Sequence, residues 1–341
     1  MRARDLVMRS IARIAALGWF RSVETSGVER VPLRGPTLVV ANHDGGFVDP
    51  VLLASTLPRF PRFLAMAGLW RTPARPFLWL AGAIPVVRAT DGTTSENSRA
   101  FAACHDVMSK QGIVAIFPEG RASDEVRLLP VKTGAARIAL GSRAAGAEGL
   151  LIVPVGLIYE DKSTARARVY VRVGVPIDLD AELPSLVSTG GGAADEDDRH
   201  TVAALTATIR ERLVAVALDF ESAAQMSSLG LAATIALRPI DADPGWRPTF
   251  SAREDLTTRL GDAPEVQQSA VRDAVDAYRA GLEANAITDA AVATDPDGTD
   301  GSISREWRSR CWRPRRQWWV CWSTPRRARS PGSQDGDRWL R

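Results

Sequence analysis

The chain has 341 residues, of which 45% are hydrophobic and 24% are charged. This composition is ordinary for a globular protein of one large domain or two smaller ones, and it excludes a collagen-like repeat, disorder throughout and a polytopic membrane protein. The net charge of +3 is unevenly distributed, because residues 305–341 hold 11 arginines and only three acidic residues. The rest of the chain is mildly acidic, so we expect no nucleic-acid partner.

Residues 1–20 are predicted to form an amphipathic helix. Its arginines interrupt every apolar run, which excludes a secretory signal. Leu6, Met8 and Ile11 tend to one side of this helix, whereas Arg9 and Arg13 tend to the other. Such a helix lies in the headgroup layer of a membrane, or it covers the protein core with its apolar side. We assign 1–20 as an interfacial helix and keep the core-covering helix as the alternative.

Strand and helix patterns then alternate along the chain. Strands are predicted at 37–41, 62–67, 83–87, 113–117, 150–155 and 167–175, and helices at 94–110 and 133–142. This order predicts an α/β fold with a largely parallel sheet flanked by helices. The strand at 167–175 alternates as if one of its faces meets solvent.

Composition also predicts the domain boundaries. The α/β domain occupies 21–187, a Gly- and acid-rich linker 188–199, and a helical C-terminal extension 200–284. Residues 285–341 are predicted to be a linker and a disordered, basic tail with six of the ten tryptophans. The tail composition also suits a membrane contact or an out-of-frame reading of a GC-rich gene, so its authenticity stays open.

His43 has the setting that best suits reactivity among the three histidines. It follows a buried strand and precedes two glycines, and Asp44 and Asp49 lie close by in the sequence. An imidazole beside a carboxylate suits general-base chemistry, because the carboxylate fixes the tautomer and favours the imidazolium. A loop histidine that caps a helix or meets solvent is the plainer alternative.

A second polar cluster follows the strand at 113–117. Glu119, Gly120 and Arg121 reach the same predicted sheet edge as His43. Two further cations are expected at this edge: Arg88, just after the strand at 83–87, and Lys132, at the start of the helix at 133–142. Arginine suits phosphate because its planar fork donates two hydrogen bonds to one phosphoryl group. Taken one at a time, each of these cations is better explained as a surface charge or as part of a helix-end ion pair.

Together these segments resemble the glycerophospholipid acyltransferase family, which includes lysophosphatidate and glycerol-3-phosphate acyltransferases. The resemblance rests on five blocks in the order of that family: NHDGGFVDP (42–50), GAIPVVR (82–88), FPEGR (117–121), KTGAARIAL (132–140) and VPVG (153–156).

The resemblance implies roles for individual residues. His43 is the catalytic base and Asp49 orients it. The substrate phosphate is held by Arg88, Glu119, Gly120, Arg121 and Lys132. Val153 and Pro154 shape the acyl site. Five residues separate His43 from Asp49, where the usual motif has four. If the longer spacing is not a working variant, Asp44 is the partner of His43 or the site is impaired.

The expected activity is transfer of an acyl group from acyl-CoA or acyl carrier protein, as co-substrate, to a hydroxyl of lysophosphatidate. Glycerol 3-phosphate is the alternative acceptor. A catalytically silent lipid-binding protein and a thioesterase are the rivals. Three cysteines without disulfide or metal-ligand spacing favour a reducing compartment. We therefore expect no metal and no cofactor, and a cytoplasmic enzyme peripheral to the inner face of the cell membrane.

Overall fold

A computed structural model describes residues 3–87, 94–123, 125–162, 164, 166–186, 196–239, 246–286, 288–289 and 292. The predicted site residue Arg88 and the tail 305–341 lie outside these residues. The chain divides into two compact units. The first comprises Met1–Gly230 with Thr249–Asp262, and the second comprises Leu231–Pro248 with Ala263–Arg341.

A largely parallel sheet forms the centre of the first unit. Within the described ranges its strands are β1 (Ser22–Ser26), β2 (Thr37–Ala41), β3 (Arg62–Met66), β4 (Ile84–Val86), β5 (Ile113–Ile116), β6 (Leu151–Tyr159), β7 (Arg168–Val173) and β8 (Ile177–Asp178). The order is β1-β7-β6-β2-β5-β3-β4, with β8 beside β6. Only the pairs that β6 makes with β7 and β8 are antiparallel among these strands. The predicted α/β class is confirmed.

The helices of the described chain are α1 (Ala3–Trp19), α2 (Val48–Thr56), α3 (Arg75–Ala81), α4 (Thr94–Ser109), α5 (Gly134–Ala144), α6 (Leu179–Leu186), α7 (Arg199–Val214), α8 (Ala223–Leu237), α9 (Phe250–Gly261) and α10 (Glu265–Ala284). Helices α7 and α9 belong to the same compact unit as the sheet. The sequence pattern instead predicts both helices in a C-terminal extension that a linker separates from the α/β domain.

Apolar cores lie on both faces of the sheet. Alternate residues of β2 point to opposite sides, with Val39 in the core that includes α1 and α2, and Leu38 in the core that includes α4, α5 and α7. Every residue of β2 is buried. Burial on both faces explains why the sequence of β2 is continuously apolar rather than alternating.

Helix α1 departs from its predicted pattern. Met8 is buried, whereas Leu6 and Ile11 of the same predicted apolar side are exposed. Arg9 Nη1 donates to the carbonyl of Pro58 at 2.8 Å, and Arg13 Nε donates to a carbonyl at the end of α2. The prediction of a single apolar side was therefore wrong, because the arginines bind the protein body. None of the helices among the described residues is long and apolar enough to span a membrane.

The prediction that one face of β7 meets solvent was also wrong. Tyr170, which lies on that face between Arg168 and Arg172, is buried. Helix α9 packs against β1 and β7, and its Phe250 joins Tyr170 and Ile158 in a small apolar cluster. This helix follows β7 by about 80 residues in the sequence, so the local pattern of β7 contained no sign of it.

Candidate active site

Strands β2 and β5 are parallel neighbours, so the residues that follow them meet at one edge of the sheet. His43 follows β2, and Glu119 and Gly120 follow β5. The two loops are joined directly, since the backbone N–H of Ser123 donates to the carbonyl of His43 at 3.0 Å. The structure therefore brings the predicted histidine and the Glu–Gly–Arg turn together.

Asp49, rather than Asp44, is the partner of His43. The loop turns at Gly45 and Gly46, and α2 begins at Val48, which places Asp49 in the first turn of the helix. His43 Nδ1 lies 2.7 Å from Asp49 Oδ2. The Asp49 side chain has no exposed surface, whereas that of His43 is 21% exposed. The carboxylate is thus shielded from solvent while the imidazole remains accessible.

The imidazole is also held from the side. Its ring stacks on Phe117, with the ring centroids 4.3 Å apart and the planes inclined by 14°. A donor Nδ1–H directed at Asp49 leaves Nε2 as the basic nitrogen. Orientation by a carboxylate and an aromatic face prepares a single nitrogen of His43 to accept a proton.

Tyr159 is a site residue that the sequence motifs did not identify. It ends β6, and its hydroxyl donates a hydrogen bond to Asp49 Oδ1. Burial raises the pKa of Tyr159 well above its usual range, and the negative charge of Asp49 raises it further. Its only signal in the sequence is a polar aromatic residue at the site edge, three residues beyond the VPVG block.

Glu119 is buried and does not face the open side of the site. Its Oε1 accepts the backbone N–H of His43 at 2.9 Å, and its Oε2 accepts that of Leu129 at 3.3 Å. Burial raises the pKa of Glu119, and these backbone donors oppose the shift. The carboxylate thus ties the His43 loop to residues downstream of the Glu–Gly–Arg turn.

Asp44 lies between His43 and Asp49 in the sequence and pairs with a different residue. Its carboxylate is 3.9 Å from Lys162 Nζ, and Lys162 also donates to the carbonyl of Ser123 at 3.1 Å. Burial raises the pKa of Asp44 to about 7, although the charge of Lys162 opposes the shift. A third carboxyl group therefore lies at the site with a pKa near neutrality.

The predicted cations differ in placement. Lys132 lies over Gly120, since a Cβ built at this glycine would be 2.6 Å from Lys132 Nζ. Gly120 has a φ of +73°, a conformation that favours glycine. Arg121 is exposed beside it. Lys132, Gly120 and Arg121 thus gather beside the His43 loop.

The two residues predicted for the acyl site lie inside the sheet. Val153 and Pro154 are the β6 partners of Val39 and Val40. Both are buried, and Val153 belongs to the core that includes α1 and α2. Over the described ranges, no group of three or more His, Cys, Asp or Glu side chains is arranged to hold a metal ion.

Comparisons with known proteins agree with this geometry. A family model described as Acyltransferase matches residues 22–158. The chain is 34% identical over 122 residues to glycerol-3-phosphate O-acyltransferase 2 of Saccharomyces cerevisiae, a match that covers 36% of this chain and 16% of the yeast protein. Glycerol-3-phosphate O-acyltransferase 1 of the same yeast is 32% identical, over 34% of this chain and 15% of its own. The chain thus spans less than a fifth of these relatives.

Among solved structures, the 1-acyl-sn-glycerophosphate acyltransferase PlsC of Thermotoga maritima aligns with a TM-score of 0.43 and 17% identity. This alignment covers 61% of this chain and 78% of the other. The matched family region runs from the start of β1 to Ile158, one residue before the end of β6, and it contains His43, Asp49 and the Glu–Gly–Arg turn. Residues 22–158 of this chain are therefore similar to the acyltransferase family over the region that holds the site.

Proposed function

We propose that the protein transfers a fatty acyl group from acyl-CoA or acyl carrier protein to a hydroxyl of a glycerol phosphate acceptor, with His43 as the general base. The observation that carries this proposal is the 2.7 Å contact between His43 Nδ1 and the fully buried Asp49. Lysophosphatidate is the acceptor that the sequence favours. Glycerol 3-phosphate is a second candidate, because the two yeast relatives are named for it.

The proposed reaction is a direct transfer. Nε2 of His43 takes the proton of the acceptor hydroxyl as the hydroxyl oxygen attacks the thioester carbonyl carbon. The C–S bond then breaks, and the proton moves from His43 to the departing thiolate. Asp49 stabilises the imidazolium that exists between these steps. No acyl-enzyme intermediate is required.

The acceptor phosphate would be held by Lys132 and Arg121. Lys132 Nζ lies directly over Gly120, and Arg121 extends from the same turn into solvent. Both are on the loop that hydrogen-bonds to the backbone of His43. A phosphate bound here would place a neighbouring hydroxyl within reach of the imidazole. Arg88 keeps its predicted phosphate role as part of the proposal.

The test is acyl transfer by the full chain with one long-chain acyl-CoA and a panel of labelled acceptors that includes lysophosphatidate and glycerol 3-phosphate. His43→Ala should abolish transfer, and the matched control His105→Ala should retain it, because His105 lies on α4 beside Glu196. Retained turnover in His43→Ala would refute the role of His43 as the general base. Thiol release without acceptor would instead indicate a thioesterase.

The rival hypothesis, a catalytically silent lipid-binding protein, depends on the longer spacing between His43 and Asp49. The structure supports a working pair, since Asp49 reaches His43 and also accepts the Gly45 backbone N–H at 3.0 Å. Absence of both thiol release and product with every acceptor would favour the silent protein.

We also propose that the protein binds the cytoplasmic surface of a membrane through α1 and α3. Five large apolar side chains of α1 are exposed, beside the exposed Ser10 and Arg13: Leu6, Val7, Ile11, Ile14 and Leu17. The neighbouring helix α3 exposes Trp79 and Phe77. Contiguous apolar surface of this kind with interfacial tryptophan suits a lipid headgroup layer. The exposed Arg71, four residues before α3, and the exposed Arg75, its first residue, favour anionic lipid.

Co-sedimentation with vesicles of phosphatidylglycerol and phosphatidylethanolamine tests this surface. The double variant Ile14→Ser/Leu17→Ser should bind at least tenfold more weakly, because burial of each side chain contributes about 1 kcal/mol or more. Val266→Ser removes an equally exposed apolar side chain from α10 and is the matched control. Equal binding by all three proteins would refute the proposed surface.

A further inference from the structure

Tyr159 reaches the site from the strand beside β2. Residues Thr37–Ala41 of β2 pair in parallel with Leu151–Val155 of β6. Strand β6 continues four residues beyond this pairing, which brings Tyr159 alongside the loop that follows β2. The residue therefore lies outside the histidine–aspartate motif in the sequence but next to it in the fold.

Both oxygens of the Asp49 carboxylate are occupied by donors. His43 Nδ1 lies at Oδ2, and the Tyr159 hydroxyl donates to Oδ1. The Gly45 backbone N–H lies 3.0 Å from Oδ1 and 3.1 Å from Oδ2. A carboxylate with no exposed surface needs such donors, because burial of an unpaired charge costs several kcal/mol. Tyr159 is the only side chain other than His43 among these donors.

The tyrosine itself is fixed from two sides. Its ring lies against Phe20, the buried residue after α1, with centroids 6.0 Å apart. The backbone of Gly45 covers the hydroxyl so closely that a Cβ there would be 2.6 Å from the Tyr159 oxygen and 2.7 Å from Cζ. These contacts allow the hydroxyl little freedom to leave Asp49.

We propose that Tyr159 is a positioning residue for acyl transfer: its hydroxyl fixes the Asp49 carboxylate in the orientation that aims the His43 imidazole at the acceptor. This role rests on the proposed function. The hydroxyl has one hydrogen and donates it in a hydrogen bond to Asp49, so it competes with His43 for the negative charge of the carboxylate. Tyr159 thereby both orients Asp49 and moderates how strongly Asp49 draws the proton of the imidazole. The raised pKa of Tyr159 keeps it a donor throughout the neutral range.

The first test is Tyr159→Phe in the full chain, which removes the hydroxyl and keeps the ring against Phe20. We expect kcat to fall about 10- to 100-fold, as is usual when a partner that orients a site residue is lost. The KM for the acceptor should change less than twofold, because Tyr159 does not contact the phosphate side of the site. The acidic limb of the kcat/KM–pH profile should move to higher pH, since Asp49 with one donor fewer attracts the imidazole proton more strongly.

Tyr170→Phe is the matched control. Tyr170 is also a buried tyrosine whose hydroxyl donates to an aspartate, Asp255, at 3.1 Å, but it belongs to the cluster beneath α9. It should keep the kcat and pH profile of the unchanged protein. An unchanged kcat in Tyr159→Phe would overturn the proposal. A loss of kcat with an unmoved pH profile would also overturn it, because it would indicate a structural role alone.

A second measurement needs no substrate. The three histidine ring signals can be followed by NMR as the pH is changed, and the His43 signal is assigned by its loss in His43→Ala. In Tyr159→Phe the midpoint of the His43 titration should rise, while those of His105 and His200 should stay. An unmoved midpoint refutes the role of Tyr159. Absence of acyl transfer in the unchanged protein, together with a moved midpoint, would refute the proposed function alone.

Discussion

Gly45 is the position at which a single added methyl group should most disturb the contact between His43 and Asp49, which we call the dyad. In Gly45→Ala the new Cβ would be 2.6 Å from Asp49 Oδ1 and 2.6 Å from the Tyr159 hydroxyl oxygen. Ordinary van der Waals contact begins near 3.5 Å, so these atoms must separate by about 1 Å. Neither neighbour moves freely, because Asp49 is fully buried and Tyr159 lies against Phe20. We expect the aspartate to be displaced from His43.

Gly45→Ala should affect both the stability of the protein and the rate of acyl transfer, and the two effects differ in size. Overpacking of a buried site costs about 1–3 kcal/mol of stability, whereas a misplacement of about 1 Å in a catalytic group costs about 100-fold in rate. The assay is therefore kcat for acyl transfer at a temperature well below unfolding, alongside urea unfolding of the same preparation. We expect a fold that remains intact and a kcat about 100-fold lower.

Gly46→Ala is the matched control for this prediction. Gly46 has a φ of +62°, and a Cβ there would meet nothing closer than the Ala122 Cβ at 3.8 Å. Its cost is therefore backbone strain of about 1–2 kcal/mol, without a collision at Asp49. Gly46→Ala should lose stability and keep most of its kcat. If Gly45→Ala retains full kcat, or if both variants lose activity equally, the reasoning from close contact is refuted.

The remaining predictions concern the charged groups around the dyad. The pKa of Asp44 is raised to about 7, so the folded protein should lose stability as pH rises from about 4 to 7, by at most about 4 kcal/mol. In urea unfolding at pH 4.5 and 7.5, Asp44→Asn should therefore lose less stability between the two pH values than the unchanged protein, and an equal loss in both proteins would refute this prediction. Glu119→Gln leaves one backbone donor facing an amide N–H, so it should lower stability by about 1–3 kcal/mol in the same assay, whereas full stability would show that the carboxylate bridge is unimportant. Lys132→Ala and Arg121→Ala should each raise the acceptor KM several-fold at similar kcat in steady-state assays, and an unchanged KM would remove that residue from the phosphate site.

The central strands were predictable because burial on both faces leaves a strong composition signal. Strands β2 and β5 have continuous apolar runs, and the structure places them at Thr37–Ala41 and Ile113–Ile116. The edge strand β1 was missed, because its sequence SVETS is mostly polar. It is held by pairing with β7 and by Glu24, whose carboxylate accepts the backbone N–H groups of Phe250 and Ser251. Such long-range partners leave no local pattern.

The site was predictable only as far as the motifs extended. Residue types and strand ends located His43, Asp49 and the turn at Glu119, but they did not show which atoms meet. Glu119 was expected to hold the substrate phosphate, whereas its carboxylate accepts two backbone N–H groups in the buried interior. Tyr159 was missed because its contact with Asp49 spans 110 residues of sequence. Contacts between distant strands depend on the sheet order, which the local pattern does not contain.

The five residues between His43 and Asp49 allow contact because a loop turn comes first and the helix α2 begins only at Val48. Six positions along a regular helix would put the two residues about 240° apart and prevent contact. Here the Val48 backbone N–H donates to the carbonyl of Gly45 at 3.3 Å, so the chain reverses before α2 begins. Asp49 then lies in the first helical turn, where the helix dipole favours a negative charge. The turn requires close approach at Gly45, and the space it leaves beside Asp49 is filled by the Tyr159 hydroxyl. The extra residue, the glycine and the tyrosine are therefore parts of one arrangement, and the spacing by itself gives no reason to regard the site as inactive.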